Sequence, residues 1–247
     1  MAKEMLPLVL SVKAANWRMN DEDSDSADTE FRHVRLKALE RDDRTCRFCG
    51  FRAPKYQEVH HLNDDHADNR LPNLVTACGF CHSVQHIGLA GKNKEAILAW
   101  IPEISQDRLH HLVRSVLVVC RWAESIQAER RPQRPDVINA AADMAQAARS
   151  LDAKLRARSA EAEKRFITSD PLELGTILQQ MVNGDAAALY GRRADFLRGL
   201  RLLPLGRRNA NGKDTMPAII DSWLATGGPY AGLNPRTWLS ILNQAGS

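Results

Sequence analysis

Two Cys-x-x-Cys pairs, Cys46/Cys49 and Cys78/Cys81, constrain this chain more than any other feature. His60-His61 stands between them, His82 follows the second pair directly, and His86 comes a helical turn later. Residues 46–86 hold four of the five cysteines and five of the eight histidines. A Cys-x-x-Cys turn places two sulfurs about 3.5–4 Å apart without strain, so two such turns close a tetrahedral thiolate site of the kind Zn²⁺ prefers. One pair alone would fit a redox dithiol or a disulfide equally well. Two pairs in one segment, behind an N-terminus without a signal-peptide layout, favour structural zinc on Cys46, Cys49, Cys78 and Cys81. A closed site of this kind folds the segment and does no chemistry.

The histidines carry the second signal. Residues 57–62 (QEVHHL) read as a strand, 74–77 as a short second strand, and 81–88 as a helix. His82 and His86 then lie at i and i+4 on one helical face. A hairpin followed by a helix brings His60 or His61 toward them. Neighbouring strand residues point to opposite faces, so His60 and His61 cannot share one task. One reaches a metal while the other addresses water or a substrate.

This block resembles an HNH, or ββα-metal, nuclease module with zinc knuckles embedded in it. The resemblance implies that His60 is the first ligand of a catalytic divalent ion and His61 the general base. It makes Asn73 the residue that pins the loop and thereby the base, His82 the second ligand, and His86 a further ligand or phosphate contact. It also implies phosphodiester hydrolysis with one divalent cation, Mg²⁺ or another, in which a neutral imidazole takes the proton of the attacking water.

The remainder of the chain sets looser bounds. With 247 residues, 44% hydrophobic and 26% charged, the chain can bury a substantial core. A net charge of +4 and pI near 8.9 permit contact with nucleic acid without arguing for it. No apolar run approaches the ~18 residues of a membrane span. Cysteine usage fits a reducing compartment. The expected class is α+β: a zinc-stabilised module over 1–92, then a mainly helical region over 93–247 with a break at 130–135.

In chain order, 5–12 is a strand candidate, 21–30 an acidic solvated loop, and 31–41 a helix with a basic face. Residues 88–91 read as a loop and 95–100 as a strand or helical turn. Ser105 is a good N-cap for a helix over 106–129, with Cys120 in the core and His110 and His111 on the surface. Residues 136–165 read as an Ala-rich helix, a bundle member in preference to a projecting partner-binding helix, and Asp170-Pro171 opens another that ends near Gly184. Asn234-Pro235 opens the last. Arg192, Arg193, Arg198, Arg201, Arg207 and Arg208 stand against a single acid, Asp195. That cluster fits DNA, or equally an acidic protein partner.

A second resemblance covers more of the chain. LVLSVKAANWRM, RDDRTCRFCGF, NRLPNLVTACGFC, WIPEIS and RGLRLLPL occur in order over 8–205. Together they resemble the IcmJ/DotN family of type IVB (Dot/Icm) secretion systems. The family implies a zinc-stabilised, HNH-derived protein of the cytoplasmic coupling complex, beside the coupling ATPase and peripheral to the inner membrane through that complex. There the nuclease fold can serve as a scaffold with its histidines lost, whereas this chain keeps His60, His61, Asn73 and His82. The first functional expectation is therefore a coupling-complex protein of a secretion or conjugation system. The alternative is a stand-alone metal-dependent endonuclease, and a third is a zinc-ribbon DNA binder without catalysis.

Overall fold

The computed structural model describes residues 4–12, 28–63, 65, 68–129 and 134–232. Most of the expected acidic loop, the core of the break at 130–135 and the helix opened by Asn234-Pro235 lie outside the described residues. Within them the chain is a mixed fold of helices and short antiparallel strand pairs. None of the described helices is long and apolar enough to cross a membrane.

Helix α1 (Asp28–Arg41) sets Phe31, Val34, Ala38 and Leu39 against the first hairpin, where they meet Val59 and Leu74. A tight turn then carries the first cysteine pair, closed by Cys46 N–H to Phe51 O and Gly50 N–H to Cys46 O, both 2.9 Å. Gly50 takes φ +72, the left-handed conformation that glycine adopts without strain. Strand β1 (Gln57–His61) pairs antiparallel with β2 (Leu74–Cys78) after a 3-10 turn at Leu71–Asn73, with His60 opposite Val75 and His61 opposite Leu74. Strand β2 runs straight into α2 (Gly79–Gln85), and α3 (Ile87–Lys92) follows a break at His86.

The second half wraps back onto the first. Strand β3 (Ala96–Trp100) pairs antiparallel with β4 (Leu200–Pro204), far along the chain. Between them lie α4 (Gln106–Ala128), α5 (Pro135–Ala157), α6 (Ser159–Phe166), α7 (Pro171–Asn183), α8 (Ala187–Gly191) and α9 (Arg193–Phe196). A two-residue hairpin, β5 (Asn209–Ala210) with β6 (Lys213–Asp214), precedes α10 (Met216–Leu224). The main core is continuous from the cysteine turns (Cys46, Phe51, Cys81) through α4 (Val113, Val116) to Met144 and Trp223.

Several expectations are corrected. Residues 5–12 form no strand, because their backbone meets isolated groups, Leu6 N–H to Arg47 O and Ser11 N–H to Val84 O, in place of a ladder. The loop expected at 88–91 is helix α3. Its glycines serve packing: a β-carbon on Gly91 would lie 2.3 Å from the Leu172 backbone, and one on Gly175 would lie 2.8 Å from Gly88. The helix expected over 136–165 is two, divided at Arg158, which docks on the end of β3 through Trp100 N–H to Arg158 O at 3.1 Å and its own Nε–H to Trp100 O at 2.8 Å. Ser105 occupies the N-cap position of α4 but makes no side-chain cap bond. Asp170 does cap α7, accepting from Leu172 N–H at 2.8 Å. Helix α5 buries Ala141, Met144, Ala148, Leu151 and Leu155, as its spacing requires of a bundle helix.

Candidate metal centres

The four cysteines of the two turns meet. Their sulfurs all lie within 4.8 Å of one another, every one of the four residues is buried, and Cys49 and Cys78 stand 3.8 Å apart. A tetrahedron with metal–sulfur bonds of about 2.3 Å has edges close to that separation. Cys78 is also the N-cap of α2 and accepts Cys81 N–H on its sulfur at 3.5 Å, so strand end, helix start and knuckle are one device. Without a cation the protons are unequally held: burial, then the neighbouring sulfurs, push the Cys78 and Cys81 thiols up, while hydrogen bonds from Cys46 and the others pull Cys49 down. A divalent ion such as zinc removes that conflict by stabilising all four as thiolates. The donor set and geometry fit such an ion.

Helix α4 completes the surroundings of this quartet, against the expectation that His110 and His111 are surface residues. His110 and Arg114 are fully buried, and His111 is partly so. Arg114 donates from Nη2 to Cys78 Sγ at 2.7 Å and to Cys49 Sγ at 3.6 Å. Gln106 fixes the tautomer of His110. Its Oε1 accepts Leu202 N–H and its Nε2 donates to Leu202 O and, at 2.9 Å, to His110 Nε2. His110 therefore carries its proton on Nδ1, 3.3 Å from Cys81 Sγ. Burial, reinforced by the Arg114 charge, pushes His110 down to about 3, so the ring is neutral. His111 donates from Nε2 to Cys49 O at 2.7 Å. Cys120 is half-buried and packs at the edge of the core.

A second cluster forms beside the first. His60 from β1, His82 from α2 and His86 from the break after α2 present ring nitrogens all within 4.8 Å of one another. The Nε2 atoms of His82 and His86 stand 3.2 Å apart. His82 donates from Nδ1 to Glu58, and its Nε2 faces that of His86. Glu58 and His60 alternate on β1 and so share a face. Arg208 pairs with Glu58 from the other side and with Glu95 at 3.1 Å. Burial works against the Glu58 anion, yet the His82 bond and the Arg208 charge hold its carboxyl at about 2. A cavity of about 180 Å³ opens here, lined by Glu58, His82, Ser83, His86, Asn93 and Arg208. Three imidazoles with a carboxylate fixing one of them is a donor set for a divalent ion with positions left over.

His61 turns to the opposite face of β1. It is buried, bonded through Nε2 to Asn69 Oδ1 at 3.1 Å and stacked on Phe31 with ring centroids 5.5 Å apart. Asn73 clamps the loop after β1: its Oδ1 accepts Asn63 N–H at 3.0 Å, and its Nδ2 donates to Asn63 Oδ1 and Asp68 O, each at 2.8 Å.

The arginines near residue 200 do not form one surface. Arg192, Arg198 and Arg207 are exposed, the first two flanking Asp195 at 3.7 and 3.8 Å. Arg193 is committed to Leu10 O and Ser11 Oγ, Arg201 to Ile104 O, and Arg208 to Glu58 and Glu95. Sequence reasoning missed Glu58, Arg208 as its partner, His110 and Arg114. The alternation of Glu58 with His60 and the i, i+4 spacing of His110 with Arg114 were the available signals.

No family model matches the chain. It is 36% identical over 108 residues to the Type 4 apparatus protein DotN of Legionella pneumophila, which covers 42% of this chain and 49% of that protein. The chain thus spans about half the length of the curated relative it matches.

Proposed function

We propose that this protein is a zinc-stabilised, HNH-type component of a type IVB secretion or conjugation apparatus, of the IcmJ/DotN kind, acting in the cytoplasmic coupling complex beside its ATPase. The similarity to a type 4 apparatus protein carries this reading. The buried cysteine quartet supports it, as the clip on which such a protein depends for its fold. Affinity purification of the chromosomally tagged chain from its host, followed by mass spectrometry, tests it. Recovery of coupling-complex proteins in fixed ratio is expected; recovery of the chain alone contradicts the assignment.

A second reading, metal-dependent DNA endonuclease, is favoured by one observation: His60, His82 and His86 converge while Glu58 orients His82. A divalent ion held there would supply the positive charge that phosphodiester hydrolysis needs. Glu58 keeps the proton of His82 on Nδ1 and aims Nε2 at the centre of the cluster, and Arg208 holds Glu58 in place. His61, held by Asn69 on the opposite face of β1 from the cluster, would take the proton of water only after turning toward it, and Asn73 would hold the loop that positions it. Because His61 lies buried against Phe31, cleavage requires that side to open. Plasmid nicking with Mg²⁺, Mn²⁺ or Ni²⁺ that disappears in His61→Ala is expected; intact plasmid across those ions with zinc-loaded protein rules this reading out.

A further inference from the structure

The thiolate quartet and helix α4 share a charge relationship that the two readings above do not use. Four thiolates around a divalent ion carry a net charge of minus two, and burying that charge in an apolar core is costly unless a cation stands beside it. Arg114 stands there. It is fully buried, and its Nη2 reaches two of the four sulfurs. Its plane lies over Phe51 at 4.1 Å, with Phe80 at 5.2 Å, so aromatic faces steer the guanidinium edge toward the sulfurs. Its Nε and Nη1 find no hydrogen-bond partner among the described residues. A buried cation so sparsely satisfied would be strongly destabilising unless its charge were opposed by an anion. The sulfurs of Cys78, Cys49 and Cys81 are the nearest source of that charge.

We infer that Arg114 is the counter-cation of the metal-loaded thiolate quartet, and that through it the docking of helix α4, and with it the helical half of the molecule, depends on the occupied site. The inference rests on the zinc reading of the four cysteines. His110 sets its Nδ1 beside Cys81 and His111 ties the first turn to the same helix through the Cys49 carbonyl. Three side chains within one helical turn thus address both knuckles. Lysine cannot replace arginine fully, because its ammonium lacks the planar fork and the stacking surface.

The test uses the full chain, purified with zinc. Zinc content is measured first, then the rate of zinc release on alkylation with iodoacetamide, then the thiolate-to-metal charge-transfer band after cobalt substitution. Losing a charge-assisted hydrogen bond leaves the sulfurs more nucleophilic, so Arg114→Met should release zinc about tenfold faster or more. It should also move the cobalt band to lower energy, with Arg114→Lys between the two. Unchanged release and an unchanged band in Arg114→Met, with zinc present, overturn the inference alone. Absence of zinc from the wild-type protein overturns the zinc reading beneath it. If Arg114→Met does not fold, hydrogen exchange on the wild-type chain decides: stripping zinc should speed exchange across 106–128 as well as at the knuckles. Acceleration confined to the knuckles contradicts the proposed coupling.

Discussion

The two donor clusters share the first hairpin and the short helix α2, with Cys46 and Cys49 added from the preceding turn, yet they are built to opposite specifications. The cysteine quartet is sealed: all four residues are buried, α4 closes over them, and the surrounding side chains belong to the main core. The histidine cluster is open: His82 and His86 are only partly buried and border a cavity of about 180 Å³. Strand β2 leads into both, since Cys78 ends the strand while His82 and His86 lie just beyond. On the reading proposed above, one small scaffold would separate a cation site that holds the fold from one that can exchange its contents. Thiolates, which bind zinc tightly and need shielding, lie in the core with His60 beside them, whereas His82 and His86 border the cavity.

The largest effect should come from breaking the sealed side. Structural zinc contributes on the order of 10–16 kcal/mol in small zinc domains, comparable to the whole stability of a domain. Cys81→Ser should therefore abolish cooperative thermal unfolding and leave the chain insoluble or molten by near-ultraviolet circular dichroism. His82→Ala should do the reverse, leaving zinc content unchanged and costing no more than about 1–2 kcal/mol in a denaturant melt. It should nonetheless eliminate calorimetric binding of a second divalent ion. Such a result would sharpen the contrast, and a collapse as severe as that of Cys81→Ser would erase it.

Smaller changes probe what supports each cluster. Glu58→Gln removes the carboxylate charge that strengthens the bond aiming His82 and that pairs with Arg208, and should weaken second-ion affinity by about 10–100-fold in the same calorimetric titration. The smallest effect is expected where α10 is tied to α4 at the surface by Arg121 and Asp221, 2.6 Å apart. The Arg121 bond holds the Asp221 carboxyl below its ordinary value, against some desolvation. Its stabilisation is thus present above the ordinary carboxylate range and fades as pH falls through the lowered value. Both groups are well exposed, so Asp221→Asn should cost well under about 1 kcal/mol at neutral pH and nothing measurable in acid.

What could be read from the sequence was what local spacing encodes. Two Cys-x-x-Cys turns, a His-His dipeptide and a histidine after the second turn fall within residues 46–86, and that single stretch supplies all seven donors. Alternation along β1 correctly divided His60 from His61. The pairing of Glu58 with Arg208 spans 150 positions and leaves no trace in either neighbourhood. Arg208 looked like one of six free cations because arginine is usually exposed, and its burial follows only from how β4 and the β5–β6 hairpin return to the first hairpin. His110 and Arg114 were hidden for the same reason, since a polar pair on an amphipathic helix reads as a solvated face until another polar site is packed against it. Gly88 and Gly91 read as loop residues because glycine's use as a packing surface depends on a partner helix, α7, some eighty residues away.

The division of labour between the clusters is most directly tested by native mass spectrometry of the wild-type chain and His82→Ala after dialysis against a weak chelator, then again with added divalent ion. One zinc retained per chain in both proteins, with a second ion bound only by the wild type, is the predicted result. Loss of zinc from both, or a retained zinc that disappears with His82→Ala, would contradict the account.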